Sequence, residues 1–325
     1  MLYRSIGDGM ADVSAISLGS WNTFSRLSTA DCAALLRAAI DAGINLFDIG
    51  YYWDKPDTEA AFAESIRLAG IRRSDYQLAL KLWLWNYPQQ SFEQQVRASL
   101  ERLRVDHVEL VMVSRPTEGL DFAAFCEEID GLVRTGLTRA WGVTNWEAGQ
   151  IVQAKTQLQG KSQPRLVQLQ YNVARRDIVE SEAYSQLFAN KSIGLCAAFV
   201  LEGGILAGHL DRDRVDPSAF ARGERPRERN IARDAGGIRE RIRALQPKLQ
   251  EIAAGFGASA AQLAIAFAVA KSTTALIGVT RLEDLVEDLG ALRLLDRQAE
   301  WLPLLEPLRV RGVAHPRLFD PVKNE

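Results

Sequence analysis

The sequence predicts an α/β fold, a (β/α)8 TIM barrel with a short N-terminal β-hairpin. Three observations carry that prediction. Short apolar runs rich in Val, Ile, Leu and aromatics occur eight times, amphipathic segments lie between them, and 325 residues are enough for one barrel. Strictly alternating β and α segments call for a parallel sheet. An open doubly wound sheet with a second domain gives a similar alternation. Its dinucleotide fingerprint is missing, however: Gly7-Asp8-Gly9 lacks both a third glycine at the right offset and a following helix pattern. One domain over residues 1–325 is expected.

In chain order, Gly7-Asp8-Gly9 reads as the turn of the hairpin. The first strand is Ser14–Gly19, followed by an amphipathic helix at Ala30–Ala42. Ile44–Gly50 leads into a helix over Thr58–Ala69, Gln77–Trp83 into one over Ser91–Leu103, and His107–Val113 into one over Phe122–Thr135. Arg139–Asn145, Leu166–Tyr171, Ile193–Phe199 and Ala275–Val279 complete the eight. The stretch His209–Gly237 stands apart, with many Arg and Asp residues, Pro217, Pro226 and Gly236-Gly237. It is too polar for the core. Following the seventh strand, it falls at the C-terminal mouth, where loops cover ligands, or else it is a solvated surface excursion.

Bulk properties narrow the function classes. A net charge of −2 and a pI near 6.1 give no global attraction to nucleic acid or to an anionic membrane, so a small-molecule partner is expected. Cys32, Cys126 and Cys196 are far apart, odd in number and without metal-type spacing, which predicts buried thiols in a reducing compartment and no metal site. No charged-then-apolar leader opens the chain, and no apolar run approaches the roughly 18 residues of a membrane span. The expected location is cytoplasmic. Homo-oligomerisation is left open.

Several motifs, in order, resemble the aldo-keto reductase superfamily. They are Val13-Ser14-Ala15-Ile16-Ser17-Leu18-Gly19-Ser20-Trp21, Ala42-Gly43-Ile44-Asn45-Leu46-Phe47-Asp48, Gly136 through Thr144-Asn145, and Gln168-Leu169-Gln170-Tyr171-Asn172. Near the C-terminus, Ile277-Gly278-Val279-Thr280-Arg281 with Leu285 and Glu287-Asp288 is similar to the family's adenosine-phosphate site. A Gly-Val-Thr-Arg turn that opens a helix offers N–H groups, a hydroxyl and a guanidinium to a phosphate. The bland alternative is a capped helix with a surface arginine. The resemblance implies NADPH in preference to NADH. It also implies a cofactor-binding set of Gly19, Ser20, Trp21, Asp48, Thr144, Asn145, Gln168, Phe199, Gly203, Leu206, Gly208, Ile277, Gly278, Thr280, Arg281, Glu287 and Asp288.

Reductases of this superfamily use an Asp, a Tyr five residues later, a Lys on the third strand and usually a His that ends the fourth. The implied catalytic positions here are Asp48, Trp53, Lys81 and Ser114, so both usual proton donors are replaced. The Trp53-Asp54-Lys55-Pro56-Asp57-Thr58-Glu59 segment parallels the family's Tyr-Gly-x-Gly-x-Ser-Glu and fixes that register. His107, His209 and His315 do not match the histidine position. Trp21, Tyr52, Trp83 and Arg115 are candidate substrate contacts, with Trp85 a further π surface; the alternative for Trp83 and Trp85 is packing at the barrel mouth. On the seventh strand, Ala198 falls where the family stacks an aromatic on nicotinamide, and Phe199 fills that place after a one-residue shift.

These replacements change the expected chemistry. Hydride addition to a carbonyl builds charge on oxygen and needs an acid, which a phenol of pKa about 10 becomes beside a lysine. Indole is no usable acid, and a serine hydroxyl is far too weak. A protonated imine needs none, because hydride removes a positive charge, and Asp48 with nearby indoles suits a cation. The chain is similar to divergent members that reduce imines in specialised metabolism. The expectation is therefore NADPH-dependent reduction of a C=N bond, in a substrate such as an amino-acid-derived imine. Two alternatives stand beside it: an aldehyde or ketone reductase drawing its proton from Tyr52, Tyr51 or water, and a nicotinamide-binding regulatory protein of weak activity.

Overall fold

A two-stranded antiparallel ribbon precedes the barrel: β1 (Tyr3–Arg4) pairs with β2 (Val13–Ser14). The computed structural model describes residues 1–7, 10–52, 56–84, 87–189, 192–209 and 238–313. Eight parallel strands then close into a ring. They are β3 (Ile16–Gly19), β4 (Leu46–Ile49), β5 (Gln77–Leu82), β6 (Val108–Ser114), β7 (Thr138–Thr144), β8 (Leu166–Gln170), β9 (Gly194–Ala198) and β10 (Thr274–Ile277). Since β10 pairs with both β9 and β3, the sheet has no free edge, and the open-sheet alternative is excluded.

Helices shield the outside of the ring, and local sequence sets their starts. Ser28 caps α1 (Thr29–Asp41) by accepting from Asp31 N, and Asp57 caps α2 (Thr58–Leu68) by accepting from Ala60 N. A capping box of Ser91 and Gln94 opens α3 (Phe92–Leu103). Next come α4 (Phe122–Arg134), α5 (Ala148–Gln157) and α6 (Glu182–Ala189). After β9 lie α7 (Ile238–Gly255) and α8 (Ala260–Lys271), and after β10 come α9 (Leu282–Leu289) and α10 (Gln298–Trp301). Residues 260–269 of α8 are all buried, because α8 is apolar all round and covered on all sides. Among the described residues no single helix is long and apolar enough to cross a membrane.

All eight expected strands are present, each with bounds that differ by one or two residues at an end, and two of them show how. The stretch expected as one strand, Ser14–Gly19, divides at Ala15, because Ser14 pairs with Tyr3 while its hydroxyl donates to Ile16 O (2.6 Å). The last strand spans Thr274–Ile277 and leaves Gly278 and Val279 in the turn beyond it. The proposed hairpin residues Asp8 and Gly9, and residues 210–237 of the polar connection, lie outside the described residues.

Inside the ring, inward rows change character along their length. Toward the N-terminal face, Leu46, Ala79, Leu110, Met112, Ala140, Leu166 and Cys196 pack with Ile6 and Val13 of the hairpin region. Two residues further along their strands, the same rows reach Asp48, Lys81, Ser114 and Gln168. The apolar layer blocks one end, so the polar groups gather at the other. Gly142 permits this packing, since a Cβ there would meet the Leu166 carbonyl oxygen and come within 2.8 Å of Met112 Sδ. The seam between chain ends is polar: Thr274 Oγ1 donates to Ser14 O (2.8 Å) and Arg4 Nη1 to Val269 O and Ser272 O (2.7 and 2.5 Å).

Candidate active site

The C-terminal ends of β4, β5 and β8 bring three side chains into one buried cluster. Asp48 Oδ2 lies 3.0 Å from Lys81 Nζ, with both side chains nearly sealed (7% and 6% exposed). Gln168 bridges the pair: its Nε2 donates to Asp48 Oδ2 (2.6 Å) and its Oε1 accepts from Lys81 Nζ (2.5 Å). Thr144 Oγ1, at the end of β7, is a third and longer acceptor for Lys81, at 3.4 Å. An ammonium has three donors, and three acceptors face this one. Two polar atoms here are buried without a partner among the described residues, Asp48 Oδ1 and Ser114 Oγ. Ser114 pairs in register with Thr144, so its hydroxyl belongs to the same rim.

The other positions expected to bind substrate fall into two groups. Tyr52 is buried, its hydroxyl 3.4 Å from Ser20 Oγ, and its ring and the Lys81 stem crowd the same space above Gly50. Trp83 packs edge-on against Tyr52 at 5.9 Å, and its indole N–H donates to Tyr51 O (3.0 Å). Tyr51 itself turns to the helix layer, under the guanidinium of Arg102 (4.2 Å to the ring centroid). Arg102 also pairs with the fully buried Glu59 (2.6 Å), whose carboxyl burial pushes above the ordinary range while Arg102 pulls it down. Arg115 follows Ser114 at the end of β6, and its nearly buried guanidinium pairs with Glu147 (3.2 Å), the N-cap residue of α5. Trp53 and Trp85 lie outside the described residues.

Many of the positions expected to bind the cofactor lie at the C-terminal ends of strands or in the loops after them. Trp21 and Phe199 meet with ring centroids 5.5 Å apart. Phe199 does so from a left-handed backbone (φ 55°), directly after Ala198. Asn145 is also left-handed (φ 59°), with its N–H donating to Gln168 O (2.9 Å). Gly203 and Gly208 have positive φ and flank a buried Leu206. Gly278 abuts the turn after β3, where Thr23 donates to Gly19 O (2.7 Å). Arg281 occupies the N-cap of α9 without a side-chain cap bond, 54% exposed and paired with Asp284. This set of donors fits an anionic dinucleotide: the N-terminus of a helix and a guanidinium at one end, two aromatic faces at the other. Glu287 is exposed on α9 and Asp288 is buried.

Sequence reasoning missed one group. Arg175 Nε and Nη2 donate to both carboxylate oxygens of Glu202 (2.7 Å each), with the two side chains 1% and 0% exposed. Asn172 Nδ2 donates to Glu202 Oε2 (3.0 Å) and to Phe199 O (2.8 Å). The available signal was a charged residue inside the apolar turn Val200-Leu201-Glu202-Gly203.

A closed barrel with a buried Asp–Lys pair at the C-terminal ends of its strands defines an oxidoreductase-like site. The chain belongs to the aldo/keto reductase family, whose model matches residues 15–301. It is 29% identical over 322 residues to a probable voltage-gated potassium channel subunit beta of Oryza sativa subsp. japonica, covering 94% of each chain. A protein of the same description from Arabidopsis thaliana is 27% identical over 327 residues, covering 95% of this chain and 94% of the relative. Among solved structures, an aldo-keto reductase from Klebsiella pneumoniae in complex with NADPH superposes with a TM-score of 0.71 at 20% identity, covering 95% of this chain and 96% of that one. A thermostable aldo-keto reductase in complex with epalrestat gives 0.73 at 23% identity, covering 95% and 100%. At these identities the structural likeness establishes the fold.

Proposed function

We propose that the protein is an NADPH-dependent reductase that transfers hydride to a small-molecule C=N bond, taken as the protonated iminium. Family membership and the donor set of the rim support the cofactor. The observation that carries the substrate class is the saturation of Lys81: its three donors face Asp48, Gln168 and Thr144, so its charge is already compensated by Asp48 and no N–H is left to bond a phenol. NADPH, when bound, supplies the hydride. Asp48 Oδ1 accepts from the iminium N–H, and Lys81 and Gln168 hold the carboxylate in place through its other oxygen. The indole of Trp21 and the rings of Phe199 and Tyr52 give the cation an aromatic wall. No acid is required at the hydride step, because the product amine is formed neutral.

Two other readings each have an observation in their favour. The Tyr52 hydroxyl near Ser20 supports carbonyl reduction with a tyrosine donor. The description of the two plant relatives as channel beta subunits supports a regulatory protein that binds NADPH without rapid turnover. One experiment separates all three: NADPH oxidation by the purified protein, with cyclic and amino-acid-derived imines assayed against aldehydes and ketones. Turnover of imines well above that of carbonyls is expected. Robust aldehyde turnover without imine turnover would sink the proposal in favour of Tyr52, and tight NADPH binding with neither would favour the regulator.

A further inference from the structure

We propose that Asn172, Arg175 and Glu202 form a positioning device for Phe199, which holds that ring as one wall of the nicotinamide subsite; the inference rests on the NADPH reading above. The Phe199 carbonyl is gripped twice, by Asn172 Nδ2 (2.8 Å) and by the Glu202 N–H (2.9 Å). Asn172 is fixed in turn, its Oδ1 accepting from the backbone N–H groups of Ala174 and Arg175 (2.9 Å each). The Glu202 carboxylate then locks the two loops together through Arg175 and Asn172.

Local strain explains why such a device is needed. Phe199 and Glu202 are both non-glycine residues in the left-handed region (φ 55° and 50°), a conformation that persists only where surroundings over-determine it. The left-handed turn at Phe199 puts its ring opposite Trp21. Without the grip, a relaxed backbone would return Phe199 toward an extended conformation and turn the ring away from the mouth. A buried bidentate ion pair suits this task because its geometry is directional, whereas an apolar contact could slide.

The test compares two ligands, NADPH and adenosine 2′,5′-bisphosphate, which keeps the adenosine end and lacks nicotinamide. Wild-type protein is expected to bind NADPH more tightly. Phe199→Ala should weaken NADPH about 3- to 10-fold, the range for one lost aromatic contact, and leave the bisphosphate unchanged. Glu202→Gln should give the same selective loss. The double variant Arg175→Met with Glu202→Leu removes both charges at similar volume, so it keeps the test valid where the single variant fails to fold. Equal weakening of both ligands would show a merely structural role and overturn the inference. So would variants that bind NADPH as wild type does. Wild-type protein that binds neither ligand would instead overturn the NADPH reading, and the inference with it.

Discussion

Replacing Lys81 by Met keeps most of the side-chain volume and removes the charge that faces Asp48. At 3.0 Å, two unit charges in a medium of effective dielectric about 20 attract by roughly 5 kcal/mol. Some of that loss is offset, since the variant no longer desolvates an ammonium. Asp48 also keeps its bond from Gln168 Nε2 (2.6 Å). Breaking a buried pair by removing one partner typically costs about 3–5 kcal/mol, and this pair, less than a tenth exposed on both sides, belongs in that range. Urea unfolding followed by tryptophan fluorescence reads the effect, which at a slope of about 3 kcal/mol/M amounts to a midpoint about 1–1.7 M lower. Adding Asp48→Asn removes the orphaned charge, so the double variant should recover to within about 1 kcal/mol of wild type. A single variant within about 1 kcal/mol of wild type, or a double variant as low as the sum of the singles, would refute the reasoning.

Two further outcomes follow from burial. Burial raises the Cys32 thiol to about 11, and Cys126 and Cys196 to about 12, from an ordinary value of 9.0. The folded state thus holds these protons more tightly than the unfolded chain, a contribution fully present below about pH 9 and lost as pH rises toward those values. Cys196→Ala should therefore flatten the alkaline fall in stability by up to roughly 1.4 kcal/mol per pH unit; an unchanged slope, or rapid labelling of the native thiols at neutral pH, would contradict this. At Gly142, an added methyl would press on the Leu166 carbonyl and Met112, so Gly142→Ala should cost about 1–3 kcal/mol. A melting temperature equal to wild type would show that the layer is looser than described.

The strands were legible because each pairs a β-rich run with turn residues, and that pattern is local. The closure of the ring was legible only as a count of eight, since the pairing of Ala275 with Ile16 joins the two ends of the chain. Period-two alternation along a strand assigns Asp48, Gly50 and Tyr52 to one face, and Tyr52 is buried above Gly50. Alternation could not assign Arg115, whose burial against Glu147 depends on the helix layer. Nor could it find the link from Asn172 and Arg175 to Glu202, because no periodicity connects loops after different strands. Gln168 was expected at the cofactor; that its amide also bridges Asp48 and Lys81 is a geometry that the order of motifs does not encode.

The polar seam between the chain's ends has a consequence for synthesis. Arg4 is bonded to Val269 and Ser272, separated from it by 265 and 268 positions, and Thr274 meets Ser17 across 257. During translation every other strand of the ring can pair before β10 has left the ribosome. Until then β3 and β9 each present a bare edge, the feature that invites pairing with other chains. Joining the ends also carries the largest loop-closure entropy in the molecule, so the ring closes late. The nascent barrel is therefore most open to misassociation just before its last strand arrives.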